Sequence, residues 1–301
     1  MTNSSGLDAR LISLLRKMKV VPEKLRQRRS SGPGSHLSKG LGQSMDFSEY
    51  RPYQPGDDLR ALDWKVYGRT DRLYTKLYVP EQEETVVFLL DTSGSMADKW
   101  PVLQVVILGL ASVVLGQGDR ACIFPLDNPE VEDKRGVPPA RGRSSLSRIS
   151  QFLSKTEPSG VTPLEESFTT AAGKLKSRCH LIIVSDFLQP GAGLKGLAQL
   201  RYRKHRLTLL QLLSPQEVDP KRNMAPGEWE LFDPEHTESA PSLRLDIGQT
   251  SFTRYQQALE EHNRSLQDFC RRSGACFVSA CTDLEPRNFF SEDLRKAGLL
   301  A

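Results

Sequence analysis

Apolar and polar positions follow two patterns along this chain. From residue 86 onward, short unbroken apolar runs alternate with longer stretches of helical period. The runs at 86–90 (Val-Val-Phe-Leu-Leu), 119–124, 179–184, 206–213 and 276–280 predict strands. Continuous apolar runs of this length belong in parallel sheets, where both strand faces are covered. Residues 99–115, 145–153, 163–176, 194–204, 250–273 and 288–297 predict helices from their spacing. Strands alternating with helices imply an α/β fold, a Rossmann-like doubly wound and mostly parallel sheet. Residues 128–143 read as a Pro/Gly/Arg loop around a short hairpin. Residues 214–248 read as a long acidic excursion with strands at 229–232 and 243–247.

The first eighty residues read differently, as an N-terminal helical and β extension. Leu7, Leu11, Leu14, Leu15 and Met18 share one helical face within residues 7–28, and Pro22 starts a second turn. Ser-Ser-Gly-Pro-Gly-Ser at 30–35 reads as a breaker of regular structure. Residues 45–80 are polar and aromatic. Pro55-Gly56 predicts a turn, Asp57 or Asp58 caps a helical turn over 59–64, and 72–78 alternates as a half-buried strand. The expected organisation is therefore a basic arm and linker (1–44), a β/turn segment packed on the body (45–80) and an α/β domain (81–301).

Composition narrows the classes. The chain has 301 residues, 38% hydrophobic and 26% charged, values of a soluble globular protein. The longest nearly apolar stretch, residues 102–116, is broken by Gln104 and Ser112 and falls short of the roughly 20 residues a spanning helix needs. The N-terminus shows no apolar signal region. Five scattered cysteines (Cys122, Cys179, Cys270, Cys276, Cys281) without a C-x-x-C pair read as buried free thiols of a reducing compartment, hence the cytoplasm. Gly34 to Lys39 has the outer spacing of a phosphate loop but lacks its second Gly, its Ser/Thr and its leading strand. Residues 1–44 carry nine Lys/Arg against Asp8 and Glu23, a net +7, while the rest carries −3. Without interleaved aromatics, this arm reads as a solvated helix face docking on the acidic body, and nucleic-acid binding through it is the lesser alternative.

Three strand-end and loop features gather the candidate chemistry: Asp91-Thr-Ser93-Gly-Ser95, Ser159-Gly-Val-Thr162-Pro163 and Ser185-Asp186. In open α/β sheets ligands bind beyond the carboxyl ends of strands. Two carboxylates and several hydroxyls are hard oxygen donors, suited to Mg²⁺ or Mn²⁺. Thr156, Thr169 and Thr170 are alternatives to Thr162, which is preferred because it precedes a helix-starting Pro163 in a Gly loop. Asp91 and Ser95 could also simply cap the following helix.

Asp91-x-Ser93-x-Ser95, Thr162 and Asp186 resemble the metal-ion-dependent adhesion site of von Willebrand factor A (vWA) domains. The resemblance implies that Ser93, Ser95 and Thr162 meet the metal directly or through water, that Asp91 and Asp186 anchor it, and that an acidic residue of a partner completes the shell. A second resemblance spans residues 36–290. His36-Leu-Ser-Lys-Gly-Leu-Gly42, the run Met45 to Tyr53, Pro55-Gly-Asp-Asp-Leu-Arg60, Leu62-Asp-Trp64 and Arg69-Thr-Asp-Arg-Leu-Tyr74 precede the metal motif in order, and Asp186-Phe187 and Arg254-Tyr255 fit later segments. This is similar to the bacterial "domain of unknown function 58" family of vWA-like proteins. That family implies a non-enzymatic, cytosolic interaction module, a co-factor or adaptor of a MoxR-type AAA+ ATPase in protein assembly or maturation.

Asp57, Asp58, Arg60, Asp63 and Trp64 form the remaining cluster. Capped turns, an Arg–carboxylate fork and Trp64 as a packing anchor make it a structural clamp, with partner binding as its alternative role. A metal-dependent phosphohydrolase with Asp91 as nucleophile is the enzymatic alternative. It lacks the second Asp at the position of Ser93 that would supply the general acid. His36, His180, His205, His236 and His262 read as surface or satisfied core, and Met96 and Trp100 as packing.

Overall fold

The computed structural model describes residues 9–21, 45–80, 83–126, 136–222, 225, 227–231 and 243–301. Residues 22–44, with the turn after Pro22, the 30–35 breaker and the Gly34–Lys39 spacing, lie outside the described residues. So do residues 127–135 and 232–242. The chain divides into two units, residues 1–29 with 84–301, and residues 30–83.

The larger unit is built on six strands: β3 (Thr85–Asp91), β4 (Arg120–Leu126), β5 (Val137–Ala140), β6 (His180–Ser185), β7 (Arg206–Leu213) and β10 (Cys276–Cys281). Their spatial order is β10-β7-β6-β3-β4-β5, all parallel except the β5 edge. β3, β6 and β7 bury nearly every residue, as their unbroken apolar runs require. Alternate residues along β3 feed opposite faces. Val86, Phe88 and Leu90 join one apolar cluster, Val87 and Leu89 the other.

Helices cover both faces. α1 (Ala9–Leu15), α3 (Trp100–Gly116), α4 (Arg143–Lys155) and the closing turns over 286–296 contribute to the first cluster. α5 (Leu164–Lys174), α6 (Leu194–Tyr202) and α8 (Gln249–Ser273) contribute to the second. This is the doubly wound, mostly parallel α/β sheet expected from the sequence.

The N-terminal segment belongs to this unit. Leu11, Leu15, Met18 and Val20 are buried in the first cluster, and Val20 bridges Leu300 in antiparallel fashion. Lys19 and Ala301 exchange both main-chain hydrogen bonds. The described helix ends at Leu15, so Met18 reaches the core from a turn rather than from a continuing helix. The closing helix expected over 288–297 is divided by a π turn at Phe289–Asp293, which places Phe289 and Phe290 in the core. Gly109 of α3 leaves room for Phe290: a Cβ there would stand 2.2 Å from its ring.

The smaller unit pairs β1 (Met45–Pro52) with β2 (Tyr74–Pro80) in antiparallel fashion, with a bulge between Phe47 and Glu49. Between them lie a 3₁₀ turn (Leu59–Ala61) and α2 (Trp64–Thr70). The helical turn expected over 59–64 is thus a shorter 3₁₀ turn followed by a helix that starts where it was expected to end. A third sheet, the antiparallel pair β8 (Gly227–Leu231) and β9 (Leu243–Ile247), stands within the acidic excursion. α7 (Pro215–Val218) precedes it.

Candidate functional site

Sheet order singles out one place. From β3 the chain moves to β4 on one side and later returns to β6 on the other, and α3 and α6 leave toward opposite faces. The strand ends at such a switch point border a crevice where ligands bind. Asp91 closes β3, and Ser185 closes β6 with Asp186 directly after it.

Local chemistry fixes the Asp91 turn. Asp91 is 2% exposed. Its Oδ1 accepts from the Ser93 amide at 3.0 Å and its Oδ2 from the Ser185 hydroxyl at 2.6 Å. Burial pushes its carboxyl above the usual carboxylate range, the nearby Asp186 charge adds to this, and the Ser185 and Ser93 hydrogen bonds oppose it. The Ser93 and Ser95 hydroxyls lie 3.0 Å apart on a 3₁₀ turn, Gly94–Met96. Ser93 and Ser95 make no side-chain cap of that turn's amides, and the N-cap of α3 is Lys99.

The loop over 159–162 is tied to this turn by two main-chain bonds, Ser159 N to Thr92 O at 2.9 Å and Gly94 N to Gly160 O at 2.8 Å. Thr162 is 2% exposed, and its hydroxyl donates to Leu126 O at the end of β4. Thr156 instead ends α4 and Thr169 lies within α5, each donating to a helix carbonyl. Thr162 is thus the threonine on the loop that meets the motif.

Asp186 is 4% exposed. Its Oδ1 accepts from Leu188 N at 3.1 Å, and its Oδ2 lies 2.7 Å from Lys99 Nζ. Phe187 holds a left-handed backbone, φ 55°, fixed by Ser185 Oγ on its amide and by His262 Nε2 at 2.6 Å from its carbonyl. Non-glycine residues persist there only when their surroundings impose it. Gln211 of β7 holds the Asp186 carbonyl and Asn263 of α8.

Lys99 and Glu217 join this cluster of candidate residues, and the sequence reading does not single them out. Lys99 Nζ stands 2.6 Å from Glu217 Oε1 as well as beside Asp186. Tyr255 donates to the Glu217 carbonyl at 2.8 Å, and its phenol is pushed up to about 12 by burial and by the Glu217 and Asp186 charges. The signal was present: a lone lysine opening the most apolar helix of the chain, where the helix dipole opposes a cation.

The donor set fits a small divalent cation. Oxygen ligands at about 2.1 Å from Mg²⁺ put adjacent octahedral corners roughly 3.0 Å apart, the separation of the two serine hydroxyls. Among the described residues no group of three or more His, Cys, Asp or Glu gathers in metal-holding geometry. Hydroxyls therefore have to supply most of any shell.

The cluster of the smaller unit divides into inward and outward residues. Asp63 is 7% exposed, caps α2 through the Lys65 and Val66 amides, and accepts from Tyr50 OH at 2.7 Å. Asp57 pairs with Arg51 and accepts from Gln54 N and Thr75 Oγ1. The Gln54 amide, with Arg51, holds its carboxyl below the usual range. Asp58 caps the 3₁₀ turn through Arg60 N. Arg60 is exposed. Trp64, the first residue of α2, is 63% exposed, so within its own unit it is not a buried anchor; its ring stacks edge-on against Tyr67 at 6.2 Å.

His180 is a satisfied core histidine, bonded to Thr208 Oγ1 and to Arg206. Met96 and Trp100 are buried, Trp100 donating to Leu153 O. His36 and His236 lie outside the described residues.

Fold and site together define a doubly wound α/β chain with a hydroxyl–carboxylate cluster at its switch point. Residues 49–265 match the family described as "Protein of unknown function DUF58". The match covers well over half of the chain, which belongs to that family. Uncharacterized protein Rv1480 of Mycobacterium tuberculosis is 24% identical over 196 residues, 62% of this chain and 60% of the relative. An uncharacterized protein of Mycobacterium bovis matches with the same figures. Uncharacterized protein YeaD of Bacillus subtilis is 43% identical over 47 residues, 16% of this chain and 12% of that protein. The chain spans 60% of the length of the mycobacterial relatives it matches. A solved structure titled "von Willebrand factor type A from Catenulispora acidiphila" aligns over 76% of this chain and 44% of its own, with 9% identity and a TM-score of 0.34. No helix among the described residues is long and apolar enough to cross a membrane.

Proposed function

We propose that this chain is a protein-interaction module that presents a Mg²⁺ or Mn²⁺ site to an acidic side chain of its partner. The observation that carries this reading is the pair of Ser93 and Ser95 hydroxyls, 3.0 Å apart, beside the buried Asp91 carboxylate at the sheet's switch point. Ser93, Ser95 and Thr162 would hold the cation, with Asp91 and Asp186 as anchors. The bound cation supplies an electrophile that a partner Asp or Glu can ligate. The protein's own part is to orient hydroxyls that add no negative charge, so that the partner carboxylate is still attracted.

Ser185 and the Ser93 amide hold Asp91 in place. The two main-chain bonds to the 159–162 loop hold the threonine near the serines. The family resemblance supports a MoxR-type AAA+ ATPase as partner and protein-complex assembly or maturation as setting. The five free cysteines support a reducing compartment.

Calorimetric titration of Mg²⁺ into the full chain and into a Ser93→Ala/Ser95→Ala double variant tests the metal reading. Saturable one-site binding in the wild type that is lost in the folded variant supports it. Equal binding in both, or none in either, contradicts it.

A further inference from the structure

Lys99 occupies a position that electrostatics disfavours twice. It is the N-cap residue of α3, where the positive end of the helix dipole repels a cation, and it is 2% exposed. A buried ammonium persists only when paired and hydrogen-bonded. Lys99 Nζ meets Asp186 Oδ2 at 2.7 Å and Glu217 Oε1 at 2.6 Å. The other oxygen of Glu217 accepts from Ser214 N at 2.7 Å in a capping box, so that carboxylate is held from both sides. One ammonium thereby ties the start of α3 to Asp186 just after β6 and to α7, the short helix that follows β7.

Its charge matters more than its geometry. Asp91, Asp186 and Glu217 bring three negative charges and Lys99 one positive, leaving the balance that one divalent cation neutralises. Lys99 also engages an oxygen of Asp186, one of the two carboxylates assigned to the metal.

We propose that Lys99 is the resident cation of this site. Its ammonium keeps Asp186 and Glu217 together without metal, and it competes with a divalent cation for Asp186, so that metal binds weakly and exchangeably until a partner carboxylate adds to the shell. The inference rests on the metal reading above.

Lys99→Gln and Lys99→Met remove the charge while keeping much of the side-chain volume. Glu217→Gln, at a partly exposed position, is the companion that keeps the fold if the lysine variants do not. Mg²⁺ titration and thermal melting in EDTA and in Mg²⁺ are read on the full chain. Loss of the lysine charge is expected to tighten Mg²⁺ at least tenfold, and to lower the melting temperature in EDTA with recovery in Mg²⁺. Glu217→Gln is expected to weaken Mg²⁺ about tenfold. Lysine variants with unchanged or weaker affinity, or Glu217→Gln with unchanged affinity, overturn the inference while wild-type binding leaves the metal reading intact. A wild type that binds no Mg²⁺ beside a lysine variant that does supports the inference and contradicts the metal reading for the native chain. Absence of binding in every variant overturns both.

Discussion

The Ser185 hydroxyl donates to Asp91 Oδ2 at 2.6 Å across two neighbouring parallel strands, and the same oxygen accepts from the Phe187 amide. One side chain thus sets both the Asp91 carboxylate and the left-handed turn that follows Asp186. Ser185 and Asp91 are both buried, so a missing partner is not replaced by bulk water. Ser185→Ala is expected to lower stability by about 1.5–3 kcal/mol, the range for a hydrogen bond to a charged group. Urea denaturation measures this, and a change under about 0.5 kcal/mol, the usual size at unconstrained sites, would contradict it.

Gly109 and Phe290 make a second tight pair. A Cβ at Gly109 would meet the Phe290 ring at 2.2 Å, with α3 backbone on one side and the closing π turn on the other. Gly109→Ala is expected to cost about 1–3 kcal/mol by overpacking. Adding Phe290→Leu should return part of that loss, so the double variant should be less destabilised than the two single effects added together. Strict additivity in denaturation experiments would count against the contact.

These cases show what was legible in the sequence. The strands β3, β6 and β7 were readable because a strand covered on both faces must be apolar throughout. The helices α3 and α8 were readable from length and period. The helix α2 was not: Trp-Lys-Val-Tyr-Gly-Arg-Thr has no apolar stripe, and its start depends on Asp63, whose carboxylate takes two amides and the Tyr50 hydroxyl. The edge strand β5, Val-Pro-Pro-Ala, hid because proline is tolerated only at sheet edges and reads as loop. In the candidate site, Asp91, Ser93 and Ser95 form a local motif that is legible in the sequence. Lys99 was passed over as the start of a helix, and Glu217 has no local pattern that points to a partner in α3.

Asp63 supplies a prediction for the smaller unit. Asp63→Ala removes the N-cap of α2 together with the Tyr50 partner. Loss of a cap costs about 0.5–2 kcal/mol. Amide exchange over residues 64–70 should accelerate, with β3 and β6 unchanged. Unaltered exchange in α2 would show that the cap is dispensable.

Burial pushes the Cys122 and Cys270 thiols up to about 12 from 9.0. An unfolded chain therefore releases these protons from about pH 9, while the folded chain keeps them. The stabilisation is complete below pH 9 and is lost as pH rises toward 12. Well above pH 9 each thiol steepens the loss by about 1.4 kcal/mol per pH unit. Urea midpoints between pH 8 and 10.5 should fall less steeply for Cys122→Ala/Cys270→Ala than for the wild type. Equal slopes would contradict the assignment.

The most direct measurement is retention of native partners by the immobilised chain. Three arms are compared: wild type in Mg²⁺, wild type in EDTA, and the Ser93→Ala/Ser95→Ala variant in Mg²⁺, each with retained proteins identified by mass. The account predicts a protein held only by the wild type in Mg²⁺, released by EDTA, and bearing an acidic residue whose neutralisation abolishes retention. The same protein held equally in all three arms would contradict it, because the hydroxyl pair beside Asp91 would then have no part in binding.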